Sequence, residues 1–297
     1  MGEARPRAVA RGENGPVDRF QRRTPAQTCA GGEVVGELKK NFHSELRDSS
    51  ADERIKIAKE IISKLTDRVI DVVNLSAVCD YFVYSDTLSS QIPRSYAGHA
   101  FDATKQALFQ QLIIRTVALW DKPDRNHFSI PTAISVIDND AVIQQLQREH
   151  FQKYSGTGSI NFNPSHDPEI EAAIQTMMQD SQTQFATQQA DEADKILRHC
   201  IDMVKKVSND RIHLSIVNLR NHLAHSLDET REEIKGPVAN MKYGQEKDLL
   251  QTSIRLIENL YSWVNGTSFN IQGDCSRQAK RNASELWTNC KFTIPIY

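Results

Sequence analysis

The sequence predicts an all-α protein, most simply one helical bundle, and three observations carry that expectation. Between residues 37 and 270 apolar side chains recur at spacings of three and four, the period of a helix rather than a strand. Helix punctuation falls between those runs, with Ser, Asp or Asn before them and Gly or Pro after them. No series of short alternating segments, and no internal repeat of about 20–50 residues, interrupts the pattern.

The 297 residues, 39% hydrophobic and 25% charged, allow a sizeable core in one large domain or two ordinary ones. Three regions follow: an arm over residues 1–36, a helical domain over 37–270 and a C-terminal tail over 271–297. In the arm, Arg5, Arg7, Arg11, Arg19, Arg22 and Arg23 alternate with Gly, Pro and acids. With so few large apolar residues it cannot offset its ordering entropy, and it reads as disordered. A net charge of -2 argues against a constitutive electrostatic grip on nucleic acid but leaves room for a local basic site. Cys29, Cys79, Cys200, Cys275 and Cys290 are odd in number and never spaced C-x-x-C, which predicts unpaired thiols in a reducing compartment. No apolar run is long enough to span a bilayer and no secretory signal is apparent, so the expectation is a cytoplasmic protein with no membrane partner.

The first long helix carries Ile55, Ala58, Ile62, Leu65, Val69, Val72, Leu75 and Cys79 on one face. The next, over residues 95–121, holds "ALFQQLIIRTVALW", apolar on more than one face, as expected of a central helix; Asp121, Lys122 and Pro123 end it. A short helix should begin at Pro131, and another after Asp138 or Asn139. "KYSGTGSINFNPSHD" lacks both the preceding strand and the Lys-Ser/Thr of a phosphate loop, and reads as a connector. Asp167 and Pro168 open a helix that runs to about Val207, and Ser208, Asn209 and Asp210 form a turn and cap. After "LRNHLAHSL" comes a charged loop, then an amphipathic helix from Gln245 to Val264 that Asn265-Gly266 stop. "KFTIPIY" at the end alternates as a short strand or extended tail.

"VNLRNHLAHSLDET" concentrates an arginine, an asparagine and two histidines. At ~100° per residue, Ile212, Ile216, Leu219, Leu223 and Leu227 form one apolar stripe facing the bundle. Leu214 and Val217 lie opposite and continue into Asn221 and His225, which are four apart and adjacent on the surface; Arg220 flanks them. Apolar residues on that second face predict a partner helix or a second subunit over it. The set suits phosphodiester chemistry without a metal or cofactor. Arg220 can hold a phosphate through paired hydrogen bonds, His225 titrates near neutrality and can move a proton, and Asn221 can orient either group. Alternatives remain open. Arg220 can instead pair with Asp228 or Glu229, His222 and His225 can chelate a metal, and the face can serve a non-catalytic interaction or nucleotide-binding module. Trp120 reads as core, and Arg125-Asn126 as loop residues able to offer a second phosphate contact.

"LRNHLAH" resembles the signature of HEPN domains: Arg220, then the polar Asn221, then His225 after a short gap. With the helix ending in "CDYFVYSD", the segment "RTVALWDKPDRNHFSIPTAISVI" and the final "LIENLYSWVNGTSF", the chain is similar to the abortive-infection U-type (AbiU-like) branch over roughly residues 38–270. The resemblance implies an antiparallel helical bundle, usually dimeric. It also implies a metal-independent endoribonuclease in which Arg220 and His225 are catalytic, Asn221 supports them, and the 2′-hydroxyl of an RNA substrate attacks to leave a 2′,3′-cyclic phosphate. The setting it implies is phage defence or a toxin–antitoxin pair, with an antitoxin or regulatory protein as a partner.

Overall fold

The computed structural model describes residues 42–92, 96–124, 127–156, 168–224 and 240–293, and among the described residues there are ten α-helices and no strand. The chain divides into Met1–Lys39 and Lys40–Tyr297, and the arm expected over residues 1–36 lies outside the described residues. After a short α1 (Phe42–Asp48), Ser50 starts the helix that organises the bundle, α2 (Ala51–Phe82). Its hydroxyl accepts the Glu53 N–H at 3.3 Å while the Glu53 carboxylate accepts the Ser50 N–H at 2.9 Å, so each satisfies a donor the helix start leaves unpaired. Of the predicted stripe, Ile55 through Val72 and Cys79 are buried, and Leu75 is partly buried against the core.

A single turn, α3 (Asp86–Ser89), precedes α4 (Tyr96–Ala118). Here the expectation is corrected: α2, not α4, is central. The buried residues of α4 are Leu112, Ile113, Thr116 and Val117, and much of its first half is exposed. The apolar stripe of α2 runs along all 32 residues, roughly 48 Å of helix, so many neighbours can pack along it. In α4 the apolar residues crowd toward the C-terminal turns.

Ser129 caps α5 (Ile130–Ile137), with Pro131 in the first turn, and the Asn139 side chain accepts the N–H groups of Ala141 and Val142 to start α6 (Asp140–Ser155). Arg54 on α2 is buried and reaches across to α5, donating to the carbonyls of Val136 at 2.8 Å and Ser135 at 3.1 Å, two of the acceptors a helix end leaves open. α7 (Pro168–Ser208) runs antiparallel to α6: Arg198 meets Asp140 at 3.0 Å, and the Phe185 ring meets Tyr154 with centroids 5.4 Å apart. The Asp210 carboxylate accepts the Ile212 N–H at 3.2 Å and opens α8 (Arg211–Ala224). α9 spans Gln245–Val264 as predicted, ending where Gly266 turns the chain with a φ of 76°.

Residues 271–287, expected to begin a tail, instead form a π-helical turn (Ile271–Cys275) continued by α10 (Ser276–Trp287), which packs against α2. Two small residues, Ala279 and Ala283, carry its buried face, with the Trp287 ring set edge-on to Phe82 at 4.7 Å. A stripe of alanines gives too little apolar contrast to announce a helix. Ile294 and Ile296 of "KFTIPIY" lie outside the described residues. Cys79, Cys200, Cys275 and Cys290 are free thiols, and burial pushes the first two up to about 12.

Candidate functional site

The turn that follows α4 makes a corner on which α8 docks. Trp120, 4% exposed, is core as predicted, and its indole N–H donates to the Ser253 hydroxyl at 2.8 Å. That hydroxyl donates in turn to the Leu249 carbonyl at 2.8 Å, so the indole is tied to α9. The next residue, Asp121, is fixed through its backbone carbonyl, which accepts the Ser129 hydroxyl at 2.8 Å. From this corner the two side chains each meet a residue of α8. The Trp120 ring lies 5.6 Å from the His213 imidazole, and the Asp121 carboxylate accepts Arg220 Nη2 at 2.8 Å. His213 and Arg220 are seven apart, two turns on one helix face. The segments "ALWD" and "LRNHLAH", 99 residues apart at this ion pair, therefore form one site.

Arg220 is held half-buried, its side chain 24% exposed and that of Asp121 29%. Its acid is thus Asp121; Asp228 and Glu229, the partners weighed from sequence, lie outside the described residues. Asp121 is the partner of Arg220 that the sequence does not announce, because a helix-ending Asp before Lys-Pro explains itself locally. Asn221 follows Arg220 and is half-buried. His225 lies outside the described residues, as do Arg125 and Asn126 of the neighbouring loop. His222 is exposed.

The facing of α8 differs in part from the predicted wheel. Ile216 is fully buried and Leu219 and Leu223 pack on the core, but Ile212 is 44% exposed and His213 is buried in its place. Val217, placed opposite the stripe, also packs on the core. The reason is that α8 is covered from more than one side, by α4, α7 and α9. Burial lowers the pKa of His213, with the Ser208 backbone and Asp210 opposing that shift in part, so its neutral form is favoured.

Polar groups on α8 are unusually under-used. The Asn218 side-chain oxygen and Arg220 Nε are buried without a hydrogen-bond partner, and the buried His213 ring has only a poorly aligned contact with the Ser208 backbone. Each such group costs about 1–3 kcal/mol relative to a satisfied one, a cost that packing elsewhere offsets. Chemically, the corner presents an invariantly charged guanidinium, aimed by a fixed carboxylate that occupies one of its five N–H donors. Among the described residues no three His, Cys, Asp or Glu side chains converge as metal ligands. No described helix is long and apolar enough to cross a membrane.

No curated protein and no solved structure matches the chain. The family model of the AbiU2 branch of HEPN domains matches residues 44–286, a span that takes in α2, the Trp120–Asp121 corner, the α8 motif and nearly all of α10. The chain belongs to the AbiU2 family of HEPN domains.

Proposed function

We propose that the protein is a metal-independent endoribonuclease of the HEPN type, acting as a homodimer in phage defence by abortive infection or in a toxin–antitoxin pair. The observation that carries this reading is the Arg220–Asp121 contact. The motif arginine is neither a free surface cation nor a core staple, but a half-buried guanidinium held in one orientation at the end of α4. Such a group suits a phosphodiester, whose oxygens accept parallel N–H bonds and whose charge grows toward the transition state. Asn221, next along the helix, supplies a neutral donor and acceptor, and His225 supplies the titrating group for proton transfer. The substrate's 2′-hydroxyl attacks phosphorus, giving up its proton, and the 5′-oxygen leaves with one. Two histidines from two copies divide those proton transfers.

Cleavage of a labelled RNA in excess EDTA, with end-group analysis of the fragments, tests the chemistry. A 2′,3′-cyclic phosphate is expected; fragments with 5′-phosphate and 3′-hydroxyl ends refute it. One observation favours a second reading. Arg220 is already paired within its own chain and the net charge is -2, as suits a non-catalytic interaction module or nucleotide-binding module whose motif stabilises an interface. The two readings divide on whether His225→Ala abolishes cleavage.

A further inference from the structure

We infer that the bundle has a ligand site separate from the Arg220 corner: a cavity of about 320 Å³ between α2, α9 and α10 that takes a small organic anion with an apolar body. None of the residues argued below belongs to the nuclease machinery, so the inference stands without that reading.

The floor is apolar. Val73 and Ala77 of α2 face Leu250 and Ile254 of α9, each at most 5% exposed. Such a floor accommodates a ring or short hydrocarbon and gives a polar ion alone nothing to bury. The walls are cationic on balance, with two ammonium groups, Lys247 and Lys280, and one carboxylate, Asp80. Lys247 is already engaged. Its Nζ meets Asp80 at 2.5 Å and lies 3.6 Å from the centre of the Tyr84 ring. Tyr84 is held by the buried Glu246 carboxylate, which also accepts the Gly244 N–H at 3.0 Å. That end of the cavity is therefore built and neutralised.

The other wall is not. Lys280, exposed on α10, has no ion-pair or hydrogen-bond partner among the described residues. On α9 the Gln251 amide nitrogen is buried with no acceptor. A buried N–H without an acceptor is rare enough in folded proteins to need an explanation, and a free ammonium lining the same cavity points to a negatively charged acceptor. The geometry assigns the anionic head of the ligand to Lys280 and Gln251 and its body to the apolar floor. Two heads fit, a carboxylate and a phosphate monoester. At about 320 Å³ the cavity lies at the small end of ligand pockets, which run from ~300 to ~1,000 Å³.

Calorimetric titration of the full chain tests this with four probes. Phenyl phosphate and benzoate carry both features, inorganic phosphate carries charge without a body, and benzyl alcohol carries a body without charge. At least one aromatic anion should bind one per chain and raise Tm, and the two together identify the head group. Both controls should bind at least tenfold more weakly. Lys280→Ala, at an exposed position that leaves the fold intact, should weaken the aromatic anion by about tenfold, the scale of one charged hydrogen bond. Gln251→Ala should weaken it less. Failure of both anions to bind overturns the site. Inorganic phosphate binding as tightly as phenyl phosphate (an adventitious ion only) overturns it too, as does benzyl alcohol matching them or Lys280→Ala binding like the wild type.

Discussion

Helices α2 and α8 solve opposite problems with similar materials. α2 runs an unbroken stripe of aliphatic residues through the bundle, and its one buried cation, Arg54, spends its donors on the open carbonyls of α5. α8 is less than half as long, yet it buries the Asn218 oxygen and Arg220 Nε without partners and leaves the His213 ring without a well-aligned one. Such a concentration of unsatisfied groups on one short helix marks a segment shaped by something other than stability. The contrast teaches where to look: α2 sets the fold, and α8 forgoes satisfied bonds to hold Arg220 against Asp121.

If that division is right, truncation on the two helices should read out differently. Leu65→Ala, at a position with no exposure in α2, should cost about 2–5 kcal/mol in urea unfolding and lower cleavage only through loss of folded protein. Trp120→Phe should cost less, about 1–3 kcal/mol, because it removes the indole N–H and leaves the buried Ser253 oxygen without that donor. Its diagnostic, on the proposed nuclease reading, is that cleavage by the remaining folded protein also falls, since the corner that aims Arg220 is loosened; unchanged specific activity would separate the corner from the site. Asp121→Ala should sharpen the contrast further. The pair is only about a quarter exposed and Asp121→Ala leaves a partly buried guanidinium unpaired, so stability should fall by about 1–2 kcal/mol, less than for Leu65→Ala, whereas kcat should drop about tenfold or more and Asp121→Glu should restore part of it.

A smaller effect concerns pH. The folded state lowers the pKa of His213 from its ordinary 6.5, so it favours the neutral ring. The unfolded chain then binds more protons, and the stability this contributes is fully present above pH 6.5 and lost as pH falls toward the folded value. Tm should therefore decline below about pH 6.5, and His213→Phe should flatten that part of the profile. An identical slope in the variant would assign the acid sensitivity elsewhere. The smallest effect belongs to Ile212, exposed at the start of α8, where Ile212→Ala should stay within about 0.5 kcal/mol of the wild type.

Much of the fold was legible because local chemistry marks helix ends. Pro131, Asn139 and the Gln245–Val264 run fall where the helices begin and end. Periodicity also found the buried face of α2. It could not say which helix is central, because an apolar surface reports that something covers it and not how many neighbours do. It erred at α10 because Ala279 and Ala283 bury a face with little hydrophobic contrast. At the candidate site, the wheel failed at His213 because a buried aromatic contact with Trp120 replaced a greasy one. Asp121 was the hardest to see. Its partner is 99 residues away, and no spacing rule reaches across that distance.

The central claim is that α8 is a phosphate-handling helix whose arginine is aimed by the α4 corner. Its most direct test measures single-turnover cleavage of one labelled RNA by wild type, Arg220→Lys and Arg220→Ala at matched folded concentration. Arg220→Ala should lose at least about a hundredfold in rate, and Arg220→Lys, which keeps the charge but not the planar fork, should recover little of it. Wild-type rates in Arg220→Ala would contradict the account.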